Sequence, residues 1–252
     1  MRFKLFGFLV ALAASVGVAH GAYVGSLIDY AGGLNTVYTT GLTAVYEEDG
    51  DPRSGYNWSQ LNVGDIVVVI LKATKIVSPV TPPGGVTDDA YTGELTKYLA
   101  LQVAGKSGDD YGHYTFEAGS TDAWDPFGVL NAGEVMGIWL EGTKDFTVNA
   151  PIYGTKNNDR TDEVNWATDG TLFATFSLDQ FVGYYTPASL TLLGGLDVAQ
   201  NPLNLHWLGV SNPLGGIVDL AIESLTLSGA ASASTDWDYF ANDAETFRVT
   251  PE

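Results

Sequence analysis

The chain predicts an all-β protein, an antiparallel β-sandwich of jelly-roll-like type, and three observations carry that prediction. Residues 66–71 (IVVVIL) are six consecutive apolar, mostly β-branched side chains, closed off by Gly64-Asp65 on one side and Ser78-Pro79 on the other. Such a run is too short for a comfortable helix and too apolar to leave one face in water. Elsewhere, short alternating segments are separated by Gly, Asp, Asn and Pro clusters, with no helical periodicity of convincing length. Finally, the 252 residues include no cysteine, so a core rather than disulfides must supply the stability.

The first residues, MRFKLFGFLVALAASVGVAHG, join a basic start (Arg2, Lys4), an apolar stretch from Leu5 to Val18 and a small-x-small end at Ala19-His20-Gly21. This is the three-part pattern of a secretory signal peptide over residues 1–21, and its apolar stretch is shorter than the roughly 20 residues a bilayer needs. The expected location is therefore secreted, extracellular or cell-surface. Residues 22–252 are expected to form one domain, with no membrane insertion of the mature chain. Thirty acidic residues against eleven basic ones give a net charge of −19. That balance argues against nucleic acid and anionic membranes as partners, because no basic patch exists to neutralise phosphates. It also invites divalent cations.

Residues 22–40 (AYVGSLIDYAGGLNTVYTT) are apolar and aromatic but lie outside the strong strand series, and read as an N-terminal arm hinged at Gly32-Gly33. Such an arm either pairs with its own sheet or adds a strand to a neighbour's. Residues 42–47 predict a strand, followed by the acidic loop EEDGDPRSG. Residues 63–76 predict a central strand covered on both faces, and 77–90 a loop in which Pro79, Pro82 and Pro83 forbid regular pairing. Over 95–104, Leu99, Leu101 and Val103 share one face and Tyr98, Ala100 and Gln102 the other. The loop GKSGDD turns that strand back into 111–118, with Tyr114 and Phe116 on one side. Strands follow at 134–140 and 146–150.

Asp169-Gly170 predicts a two-residue hairpin turn, setting Thr168 opposite Thr171 and Trp166 opposite Phe173. Further strands are expected at 189–193 and 203–208. Within 217–228 the apolar phase passes from Val218, Leu220 and Ile222 to Leu225 and Leu227, which predicts a β-bulge, with a helix as the competing reading. A low-complexity stretch, SGAASAST, precedes a short segment at 237–240.

Motifs for catalysis fail when spaced out. Gly105-Lys106-Ser107 lacks the first glycine of a phosphate loop, because Ala100 stands there. No G-x-S-x-G elbow exists, and beyond the signal peptide only His113 and His206 remain, without partners at metal-ligand spacing. Acidic loops offer a calcium site instead: Glu47, Asp49 and Asp51 in one, Asn157, Asp159 and Asp162 in another. EF-hand spacing fails in the first, so solvated turns are the plain alternative. Three tryptophans sit among polar neighbours: Trp58 after Asn57, Trp124 between aspartates once Ala123 is passed over, and Trp237 between Asp236 and Asp238. Exposed, such rings stack on sugars; buried, they cap the ends of a sandwich. Asn57-Trp58-Ser59 is also a glycosylation sequon.

The signal peptide, the cysteine-free body rich in Gly, Thr and Asp, the acidic loop leading into LNVGDIVVVILKATKI and the final Val249-Thr250-Pro251-Glu252 together resemble the secreted bacterial proteins of the exosortase-sorted (PEP-CTERM) class. Pro251-Glu252 match the first two residues of that class's sorting motif; the following residue, hydrophobic helix and basic tail do not appear. The resemblance implies a cell-surface or biofilm-matrix protein without known catalytic residues. Three functions are therefore expected in order. The first is a non-enzymatic structural protein that polymerises into filaments by strand exchange. The second is a polysaccharide-binding module using calcium. The third is a secreted glycoside hydrolase, since two carboxylates suffice for that chemistry.

Overall fold

The strand that dominates the sequence also organises the fold. In the computed structural model, which describes residues 22–29, 33–53, 57–121, 123–144, 146, 160–200, 218–228, 230–231 and 239–251, that strand is β2, Ile66–Val77. It lies between β1 (Leu34–Tyr46) and β3 (Glu94–Gly108), antiparallel to both. Val67, Val69 and Leu71 enter one apolar cluster, while Ile66, Val68 and Ile70 enter a second on the opposite face. The central strand is thus covered on both sides, as its unbroken apolar run predicts.

The chain then proceeds through β4 (Gly112–Glu117), β5 (Glu134–Glu141), the single described α-helix α1 (Arg160–Thr168), β6 (Thr171–Thr186), β7 (Ser189–Gln200), β8 (Val218–Ser228) and β9 (Tyr239–Pro251). All pairings among these strands are antiparallel. The long strands β3 and β6 share two partners end to end: β5 pairs with their lower halves and β4 with their upper halves. Beyond β6 come β7, β8 and β9 in chain order, and β9 pairs along ten residues with β1.

Hydrogen bonding therefore runs round the whole sheet and returns to its start. The all-β, antiparallel, sandwich-like architecture expected from the sequence is present, with its two sides joined into one closed ring. Neighbours in the ring follow chain order, so the connectivity is an up-and-down meander and not the Greek-key order of a jelly roll. Among the described strands, closure leaves no long edge exposed.

Inside the ring, alternate residues of each strand meet: Val37 and Val45 of β1, Leu99 and Leu101 of β3, Tyr114 and Phe116 of β4, Leu190 and Leu192 of β7, Phe247 of β9. The apolar side faces inward, the reverse of a water-filled membrane barrel. Among the described residues, no helix is long and apolar enough to cross a membrane. The bulge read from the phase shift in β8 is present: registry slips between Ile222 and Ser224 against β9 and between Leu192 and Gly194 of β7. A strand, not a helix, occupies this segment.

Three expectations meet the fold. Of the two places open to the N-terminal arm, it takes its own sheet. Residues 34–40 already belong to β1, where inward Asn35 and Thr39 mute the apolar alternation. Ahead of it, Ala22–Tyr23 pairs in parallel with Tyr91–Thr92, and Val24, Leu27 and Ile28 are buried in the inner core. Asn35 locks the junction, accepting from the Asp29 N–H at 2.7 Å and donating to the Asp29 carbonyl at 2.9 Å. Asp169-Gly170, secondly, joins α1 to β6 rather than two strands. An Asp-Gly pair shows that the chain turns but not what precedes the turn. Here Asp162 and Glu163 suit a helix start, and Val164 and Ala167 bury at helical spacing. Trp166 consequently sits on the helix surface, 43% exposed, while Phe173 is buried. Thirdly, β7 runs to Gln200, well beyond residue 193. The signal peptide, the strand expected at 203–208, most of the one expected at 146–150 and Trp237 lie outside the described residues.

Candidate functional site

The outer face of β1, β2, β3 and β5 would be an apolar patch if left bare. It is roofed by α1 and by the loop 118–133, which together form the second core with Leu42, Val68, Tyr98 and Trp139. Thr96 fastens the helix, its hydroxyl donating to the Ala167 carbonyl at 2.5 Å.

One buried carboxylate organises the loop. Asp125 accepts the hydroxyl of Tyr98 and the backbone N–H groups of Phe127 (3.2 Å), Val129 (2.8 Å) and Leu130 (3.0 Å). Burial first, and then the adjacent Asp125 carboxylate, hold the Tyr98 phenol well above its ordinary ionisation range. Glu134 fixes the far end, accepting from Asn131 N–H at 2.9 Å and from the Thr175 hydroxyl at 2.6 Å. The Gly133 N–H donates to the Gly119 carbonyl at 3.0 Å, closing the segment as an Ω-type loop. Trp124 drops into it, 8% exposed, with its indole N–H donating to the Asn131 carbonyl at 3.2 Å.

Beside this loop lies a cleft of about 370 Å³, lined by Glu48, Asp49, Gln102, Ser120, Thr121 and Trp124, with Gly50, Gly119, Ile66, Ala123 and Pro126 completing its walls. Its opposite wall is the turn after β1. There Gly50, at a φ of +87° that favours glycine, donates to the Glu47 carbonyl at 2.8 Å, and the Glu47 N–H donates to the Asp51 carbonyl at 2.8 Å. The cleft therefore combines two carboxylates, an amide, two hydroxyls and a tryptophan, beside the double-layered part of the fold. Such an assortment suits a ligand rich in hydroxyl groups.

Of the residues anticipated from the sequence, Trp124 and Asp49 meet in this cleft, joined by Glu48. Trp58 does not present a ring to solvent. It is 1% exposed in the inner core, on a short 3₁₀ turn capped by Asn57, whose side chain accepts from Ser59 N–H at 2.9 Å and from Ser59 hydroxyl at 2.6 Å. Trp58 thus plays the capping part. Glu47, Asp49 and Asp51 are exposed on the turn, and the Asp51 N–H bonds the Asp49 carboxylate at 3.2 Å. Asp162 lies in the first turn of α1, and Asn157 and Asp159 are outside the described residues. Among the described residues, no three His, Cys, Asp or Glu groups converge as a metal site would require. Gln102, Ser120 and Thr121 were not signalled by any motif; they are ordinary polar residues that only the fold brings together. Comparison with family models, with curated proteins and with solved structures finds no match for this chain.

Proposed function

We propose that this is an exported, non-enzymatic binding domain for extracellular polysaccharide, with the cleft between the 47–51 turn and the 118–133 loop as its saccharide site. The observation that carries this reading is the convergence of Glu48 and Asp49 with Trp124 across a cleft also lined by Gln102, Ser120 and Thr121. Sugars are recognised by such mixtures, in which polar groups bond the hydroxyls while an aromatic edge packs on the ring's C–H surface. Binding is favoured over hydrolysis because the two carboxylates come from one turn. A glycosidase needs its pair on either side of the bond being cleaved. It is favoured over strand-exchange assembly because the N-terminal segment is seated in its own core.

The test is a binding assay of the purified protein against a panel of soluble polysaccharides, run with calcium and with chelator. Ser120→Trp, a change at an exposed position, should block the cleft and abolish binding while leaving thermal stability unchanged. Binding that persists in this variant would contradict the assignment. Loss of binding in chelator would instead add calcium to the site.

A further inference from the structure

The cleft's charge narrows the class of sugar. Among the described residues its ionisable lining is wholly acidic, Glu48 and Asp49, with no lysine, arginine or histidine on its walls. The two side chains rise from a turn whose backbone is closed by paired hydrogen bonds, so their main chain is already fixed before a ligand arrives. The surrounding field has the same sign, since the whole chain carries −19. A polymer of uronic or sulfated sugars would meet like charge at long range and two carboxylates at contact, with no cation to receive its own. A neutral glycan could use the hydroxyls of Ser120 and Thr121 and the amide of Gln102, yet would leave the carboxylates' charge unanswered. A protonated amine on the sugar answers it, offering three donors and a positive charge to acceptor-only groups.

Resting on the saccharide reading above, we infer that the cleft selects sugars bearing a free amine, of the glucosamine type, over their N-acetylated, neutral or anionic counterparts. The selectivity comes from Glu48 and Asp49, while Trp124, Gln102 and the hydroxyls supply binding common to all sugars.

The experiment compares three probes of equal length on the full secreted protein: a β-linked glucosamine oligomer, its fully N-acetylated form and a cello-oligosaccharide. A polygalacturonate oligomer serves as the anionic control. The glucosamine oligomer should bind about three- to tenfold tighter than the neutral probes, the sum expected of two solvent-exposed charge pairs. The preference should shrink as salt is raised. Glu48→Gln with Asp49→Asn should abolish the preference, bringing the glucosamine oligomer to the affinity that the same variant shows for the neutral probes. Asp109→Asn with Asp110→Asn, which removes the same charge from the loop between β3 and β4, should change nothing. Equal binding of all neutral and amino probes would overturn the inference while the saccharide reading stands. So would a preference that survives the Glu48/Asp49 double change, or one lost equally on the distal change. If none of the probes binds, both fall.

Discussion

Closure of the ring can be tested through one buried ion pair. Lys97 on β3 and Glu245 on β9 both point inward among apolar side chains and form a salt bridge, at 2% and 0% exposure. The Lys97 ammonium also lies 4.6 Å from the centre of the Phe247 ring, and Oε1 of Glu245 has no hydrogen-bond partner among the described residues. Replacing Lys97 with Met removes the charge partner of Glu245 and leaves a carboxylate in the core. The expected cost is about 3–5 kcal/mol, a large part of the roughly 5–15 kcal/mol that a typical domain has. The double change Lys97→Met with Glu245→Leu removes both charges and should recover most of that loss, since buried pairs replaced by apolar side chains are often neutral or stabilising by about 1–4 kcal/mol. Urea unfolding measures both, with an unchanged slope confirming that the folded state keeps its extent. A single variant that loses under about 1 kcal/mol would refute the reasoning, because Glu245 would then be reaching water and β9 could not be closing the ring.

Deleting residues 22–29 should unfold the domain or weaken it by about 5–9 kcal/mol, the burial of three large apolar side chains at roughly 1.5–3 kcal/mol each. A soluble, stable deletion variant would instead return the segment to the role of an arm that works between molecules. Stability should fall as pH rises above about 10, the ordinary phenol value, because burial raises Tyr91, Tyr98 and Tyr114 above it. The folded state then holds protons the unfolded state has released, so stability is full below that pH and lost above it. Alkaline unfolding followed by circular dichroism checks this, and Tyr98→Phe should make the decline shallower. Gly119→Ala places a methyl about 2.0 Å from Cβ of Trp124, so the indole must move. A loss of about 1–3 kcal/mol and a red-shifted tryptophan emission are expected; unchanged emission would contradict the packing described.

What could be read from the chain was what a local pattern encodes. Six apolar residues in succession specified β2 and its burial on both faces, because a strand with one wet face would alternate. The bulge in β8 was legible because a one-residue slip moves the apolar set to the other face. β1 was read too short because its inward Asn35 and Thr39 are polar, made tolerable in Asn35 by hydrogen bonds to Asp29 and Gly33. Ring closure left no local trace at all: Lys97 and Glu245 are 148 residues apart. The site was half legible. Trp124 and Asp49 stood out as an aromatic and an acid in polar loops. That they face one cleft depends on Asp125, which resembles a solvent-facing neighbour of Trp124 in the sequence but is the buried acceptor around which the loop folds.

The most direct test of the saccharide site is an amide NMR titration of the intact domain with the oligosaccharide that binds best in the panel. The account predicts that the largest shifts fall on Glu48, Asp49, Gly50, Ser120 and Thr121 and on the Trp124 indole N–H, saturating with one affinity and disappearing in Ser120→Trp. Shifts centred elsewhere, such as on the exposed Tyr111 and Tyr184, or none at saturating ligand, would contradict it.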